Sequence, residues 1–159
     1  MKPKPEKESK NRILQPEDIR EMLHGIFLFW IEGRDSVRCP FPEAIHQELQ
    51  QTAEKKCVDW YIHLPEQIKK DLDDELIAEQ LEEKLFEIAL NLVQDPDEKI
   101  SIKYPLMPRV GDEVRSADNP GGQIIERRIV VKEQQSWLEV SMREIDGTKE
   151  WSTQFELFE

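Results

Sequence analysis

Five side chains in this sequence carry the soft-donor or nucleophile chemistry from which metal centres and covalent catalysis are built: His24, His46, His63, Cys39 and Cys57. A zinc site wants about four N or S donors supplied as close pairs, each pair forming half of the tetrahedron. The two cysteines have no CxxC partner. His46 and Cys57 fall on one expected helix, about 16 Å apart at a rise of 1.5 Å per residue, so they cannot share an ion from it. Cys39 falls in a loop, and His24 or His63 could serve it as a base only if tertiary contacts delivered them. A pocket gathering His63, Cys39 and an acid would mark a small enzyme with a site assembled from scattered residues. No Gly-rich phosphate loop, nucleophile elbow or paired-metal motif is present. No catalytic residue, cofactor or metal is expected.

Carboxylates are the other abundant chemistry. Net charge is -12, which argues against a general binder of nucleic acid or anionic membrane, because phosphate contacts need clustered Lys and Arg. The excess is local. Residues 64–98 hold twelve acids and three bases, or -9, whereas residues 99–159 come to only -2. On an amphipathic helix, acids opposite an apolar stripe usually form a solvated face. The alternative use is docking of a basic protein surface, since complementary potential speeds and orients encounter. Glu79, Glu82, Glu83 and Glu87 are the candidate interaction surface on that helix. Mimicry of the DNA phosphate array is a third use, opposed by the near-neutral remainder of the chain.

Those side chains need elements to place them. Composition is 38% hydrophobic and 35% charged, with Trp and Phe numerous enough to build a core. Residues 1–12 lack apolar content after Met1 and are expected to be disordered. Residues 13–98 carry a helical period and the acidic excess. Pro16 suits a first helical position, and Ile19, Met22, Leu23, Ile26, Phe27, Trp30 and Ile31 recur at three- and four-residue steps. Leu28 and Phe29 widen that stripe, which predicts burial on more than one side. Gly33 is a helix stop. A second helix is expected over residues 42–61, a short third after Pro65, and a fourth capped by Asp73 or Asp74 and ended by Pro96. No segment has the form of a signal peptide or is long enough to span a bilayer, so the cytoplasm is the expected compartment.

From residue 99 the period changes to two. Ile100, Ile102 and Tyr104 alternate with polar residues as a first strand, and Val110 to Arg115 makes a short segment. Asp118-Asn119-Pro120-Gly121-Gly122 reads as a turn. Residues 123–131, 137–145 and 149–157 read as three further strands, the last two joined by a type I′ hairpin at Asp146-Gly147. Residues 99–159 are thus a small β-barrel-like module, expected to pack on the helices because apolar side chains fall on both faces of residues 124–131. Val110, Gly111, Asp112, Val114 and Arg115, followed by Gly121 and Gly122, make this part resemble an SH3-like small barrel, as in bacterial modules that open with V-G-D-x-V-R and a Gly-Gly turn.

The fold class is therefore α+β: three to four helices followed by a small antiparallel SH3-like barrel. One residue of the β part stands out. If Leu138, Val140 and Met142 face the core, alternation turns Trp137 the other way, where it either holds a partner or is covered by the helices. Trp151 reads as core. The expected function is that of an intracellular noncatalytic interaction or adaptor protein whose partner is a protein with a basic surface, not nucleic acid or membrane. The alternatives are an accessory subunit of a larger enzyme and, third, the small enzyme above.

Overall fold

The computed structural model describes residues 12–33, 37–116 and 119–158. The expectation of disorder for residues 1–12 falls, but for Arg12, outside them. The architecture is α+β: among the described residues five α-helices precede a four-stranded antiparallel sheet. Two compact units divide at Gln94/Asp95.

The first unit holds α1 (Pro16–Glu32), a 3-10 turn (Glu43–Ile45), α2 (His46–Ile62), α3 (Glu66–Asp71) and α4 (Asp74–Leu92). Pro16 opens α1 as its type predicts, and a capping box between Gln15 and Asp18 satisfies backbone N–H groups there. Gly33 ends the helix at φ 67°, a conformation that other residues adopt at a cost. Asp73 caps α4 by accepting from the Leu76 amide at 2.9 Å. That cap fixes the phase of the helix, so Ile77, Leu81, Leu85, Ile88 and Ala89 are buried on one stripe. They pack with Ile19, Leu23 and Phe27 of α1 and Leu49, Ala53 and Cys57 of α2 as a three-helix core. The Tyr61 hydroxyl, buried, accepts from the Leu14 amide at 2.9 Å and pins the segment just before α1 to α2. Burial of α1 on several sides is not found: Leu28 and Phe29 are 37% and 41% exposed. A helix packed on two neighbours needs only one broad stripe, and these two residues lie off it.

The second unit begins with a correction. Residues 100–104 are not a strand: Pro96–Lys103 is a helix, α5. Asp95 caps it by accepting from the Asp97 amide, Pro96 takes the first turn, and Asp97 and Glu98 follow. These are strong helix-start signals. Three alternating apolar residues are too few to outweigh them. Pro96 therefore starts a helix, while α4 ends at Leu92 with Val93 extended.

The strands β1 (Glu113–Ser116), β2 (Asn119–Lys132), β3 (Gln135–Glu144) and β4 (Glu150–Glu156) form a meander in that order, curled into a half-barrel. Val110-Gly111-Asp112 makes a turn rather than a strand. Asp112 Oδ2 accepts from the Arg109 amide, and the Gly111 and Ile124 backbones join the turn to β2. Asn119 to Gly122, expected within a turn, belong to β2, with Asn119 opposite Ser116 and Gly122 opposite Val114 and Glu144. Gly122 is glycine for packing: a Cβ there would lie 2.7 Å from the Trp151 ring.

The β3–β4 pairing is the expected one, Trp137 opposite Glu156 through Arg143 opposite Glu150. Its turn differs. The described residues with positive φ do not include Ile145, Asp146 or Gly147, so the type I′ geometry is absent there. It falls instead between β2 and β3, where Glu133 and Gln134 have φ of 50° and 68°.

A bulge between Ile124 and Glu126 resolves the two apolar faces expected for β2. The extra residue shifts the alternation by one, so Ile124 and Ile129, five apart, both face the core with Leu138, Val140, Met142 and Leu157. Trp151 packs there too, as expected.

The same shift turns Arg127 inward, with its side chain 0% exposed. Its guanidinium is fully engaged. Nε donates to Asp97 Oδ1 at 2.6 Å, one terminal nitrogen to the Pro108 carbonyl at 2.8 Å, and the other to the Asp97 carbonyl at 2.9 Å and to Ser101 Oγ. This network ties α5 and the 104–110 segment to the sheet.

Candidate functional site

The acidic face of α4 is built by the same phase that buries its apolar stripe. Glu75, Glu79, Glu83 and Glu87 recur at four-residue spacing on the solvent side and are all exposed. Among the described residues no ion pair holds any of them. The lysine of this helix, Lys84, is not among the glutamates: its ammonium lies 5.0 Å from the centroid of the Trp60 ring. Four like charges in a row repel one another, so the ridge carries a stability cost, relieved only at Glu75, which lies in the first turn near the positive end of the helix dipole.

Glu82 has a different role from its three predicted companions. It accepts from the Trp30 indole N–H at 3.1 Å. Trp30 stacks edge-on with Phe29 at 5.3 Å and with Phe86 at 5.0 Å, and Phe86 meets Phe41 at 5.0 Å. Sequence reasoning missed this aromatic row. The signal was there in Phe86, four residues after Glu82 and so on the same side of α4. The acidic ridge is thus bordered by an aromatic patch whose outer member, Phe29, is open to solvent.

Trp137 belongs to the second unit. It sits on the outer face of the sheet between Val130 and Glu156, partly buried. Beyond Val130, the neighbours that follow along that face are polar. Arg128 donates twice to Glu139, at 2.9 and 2.7 Å, and Gln154 donates to the same carboxylate at 2.9 Å. Gln154 first, then Arg128, hold the Glu139 carboxyl below its ordinary value by stabilising the ionised form.

Among the described residues the histidines and cysteines form no hydrogen-bonded set that includes His24 or His63 with Cys39. His46 is the histidine beside the thiol, with its Nε2 3.7 Å from the sulfur. That nitrogen also lies 2.8 Å from the Phe41 carbonyl, which can only accept. Nε2 therefore carries the proton, and the side of the imidazole facing the thiol has no lone pair to act as a base. His63 Nδ1 donates to the Asp59 carbonyl at 2.7 Å. Among the described residues no three His, Cys, Asp or Glu side chains converge as a metal site would require.

Cys57 is buried on α2 and its thiol is pushed up to about 11 by desolvation, against a smaller opposing pull from Lys84. The nucleophile is the thiolate, so this group should be inert at pH 8. Alkylation of the native protein at that pH should modify Cys39 first and leave Cys57 intact until denaturant is added, with peptide mass mapping as the readout. Equal labelling of both in the native state would contradict the packing of α2.

A cleft of about 270 Å³ lies between α1 and α2, floored by Leu23, Phe27, Ala53 and Leu85. Its rim is internally paired: Arg20 binds Glu17 at 2.9 Å and Glu54 at 3.1 Å, and Gln50 meets His24 at 3.4 Å. No nucleophile or metal-ligating set lines it. Comparison with family models, with curated proteins and with solved structures yields no match to this chain.

Proposed function

We propose that this is a noncatalytic interaction protein that docks a basic protein surface through α4. The observation that carries the reading is the row of exposed, uncompensated glutamates on a helix whose neighbouring face is aromatic. Carboxylates steer and orient a cationic partner, while Trp30 and Phe29 supply contact area of the kind that anchors interfaces. A Lys or Arg of the partner placed beside Glu82 would also meet the ring of Trp30. The half-barrel is read as an SH3-like module that serves the same binding role, and the protein as an intracellular one. Among the described residues no helix is long and apolar enough to cross a membrane.

Reversal of Glu79, Glu83 and Glu87 to lysine tests this. The fold should persist, since exposed substitutions usually change stability by within about ±0.5 kcal/mol. Partners captured by the wild type should be lost, and wild-type capture should weaken as salt rises from low to physiological strength. Undiminished capture of the same partners by the reversed protein would reduce the ridge to a solvated surface.

A further inference from the structure

The two edges of the sheet are built differently. The β1 edge is four residues long, carries Glu113 and Arg115, and is broken by a register shift between Val114 and Ser116. Short length, charge and a bulge are the devices by which proteins keep an edge strand from pairing with another chain. The β4 edge is longer and unbroken, and its charges, Glu150 and Glu156, stand only at its ends. It runs seven residues in unbroken register, and Trp151 to Phe155 contain no charge and no proline.

Its hydrogen-bonding groups are placed for use. Leu157 donates to the Ser136 carbonyl and Glu144 to the Lys149 carbonyl, which marks those two as bonded pairs. In antiparallel register every second pair is bonded. Trp151, Thr153 and Phe155 therefore bond to β3, while the N–H and C=O groups of Ser152, Gln154 and Glu156 point out of the sheet. Among the described residues nothing hydrogen-bonds to them. On the inner side the half-buried Trp151 and Phe155 form an apolar lip to the core. On the outer side Glu156 has no ion partner among the described residues, while Glu150 is held by Arg143 at 2.9 Å.

We infer that β4 accepts an added strand from another protein: an extended segment with alternating apolar residues against Trp151 and Phe155 and a basic residue facing Glu156. Backbone pairing supplies affinity, and the alternate side chains supply specificity. A second copy of the chain is the poorer occupant. Full-length antiparallel pairing of β4 with itself sets Glu150 opposite Glu156 at both ends, and like charges directly opposite destabilise a strand pair. The inference stands apart from the α4 ridge, so either can fail alone.

The full chain should be titrated with an acetylated, amidated peptide, Lys-Val-Thr-Val-Thr-Val-Lys, and with its Glu-ended counterpart, while amide exchange is followed by NMR. The Lys peptide should slow exchange at Ser152, Gln154 and Glu156. Ser152→Pro removes an outward N–H that β3 does not use, so it should leave the melting temperature near wild type and abolish the slowing. Glu156→Lys should change the ratio of affinities for the two peptides by roughly threefold or more toward the Glu peptide, and does not depend on the proline variant folding. No slowing at saturating peptide, slowing retained in a folded Ser152→Pro, or a ratio unmoved by Glu156→Lys would each overturn the proposal. So would slowing of the same amides by protein concentration alone, which would make the occupant a second copy.

Discussion

Asp97→Ala should cost the second unit about 1–3 kcal/mol, the usual penalty for leaving a buried polar group without its partner. The Arg127 side chain is fully buried, whereas that of Asp97 is 42% exposed, so water screens part of the charge that the alanine removes. Among the described residues this carboxylate, at 2.6 Å, is the one acid paired with Arg127; its remaining acceptors are the Pro108 and Asp97 carbonyls and the Ser101 hydroxyl. Neutral acceptors satisfy the guanidinium N–H groups but do not balance its charge. A unit of roughly 65 residues has about 3–10 kcal/mol of stability in total, so the loss is a large part of it. Amide exchange across β2 and β3 is the suitable readout, because it reports this unit separately from the helical one. Asp97→Asn, which keeps shape and one hydrogen bond, should fall between wild type and alanine. Adding Arg127→Met to the alanine variant should restore part of the loss, since an apolar side chain removes the stranded charge. A Asp97→Ala protein with wild-type exchange in β2 would show that the pair contributes nothing.

Gly122→Ala should cost about 1–3 kcal/mol, the typical range for overpacking a filled core. Its new methyl would meet two atoms of the Trp151 ring at 2.7 Å and the Met142 Cβ at 3.3 Å. A rigid indole between β2 and the core has no flexible end to yield, so the ring or the strand must move. The same substitution at Gly25, where a Cβ would touch nothing within 4 Å, is the control and lies on a helix that alanine favours. Urea denaturation of both variants measures the difference. Equal stability of Gly122→Ala and wild type would mean that the Trp151 ring is not held against this strand.

These two positions also show where sequence reasoning stops. Gly122 was legible as a residue that must be glycine, but the turn explanation was the wrong one of two. Conformational freedom and close approach leave the same letter in the sequence, and only the neighbouring Trp151 distinguishes them. In the sequence Arg127 and Arg128 read as possible partners of the acidic helix, and nothing marks Arg127 as buried, because burial of an arginine depends on a bulge two residues earlier and on a carboxylate thirty residues away. Neither leaves a periodic mark. Glu82 is similar: the helical pattern placed it with the acidic face, and the Trp30 indole, fifty-two residues distant, gave it another task.

What the chain determined locally is nonetheless substantial. The Pro16 and Asp73 helix starts, the Gly33 stop, the buried stripe of α4, the inward Leu138, Val140 and Met142, and the β3–β4 pairing all follow from caps and from hydrophobic period. Such signals act over a few residues, where backbone geometry and side-chain spacing are enough. The failure at residues 100–104 was also local, a short alternation preferred over a capped proline start. Tertiary structure decided the rest: the phase shift in β2, the arginine it buries, the aromatic row beside the acidic ridge, and an edge strand that no described residue pairs. Each depends on which distant residue lies opposite, and that is settled by packing, because a side chain's environment is made by neighbours in space rather than in sequence.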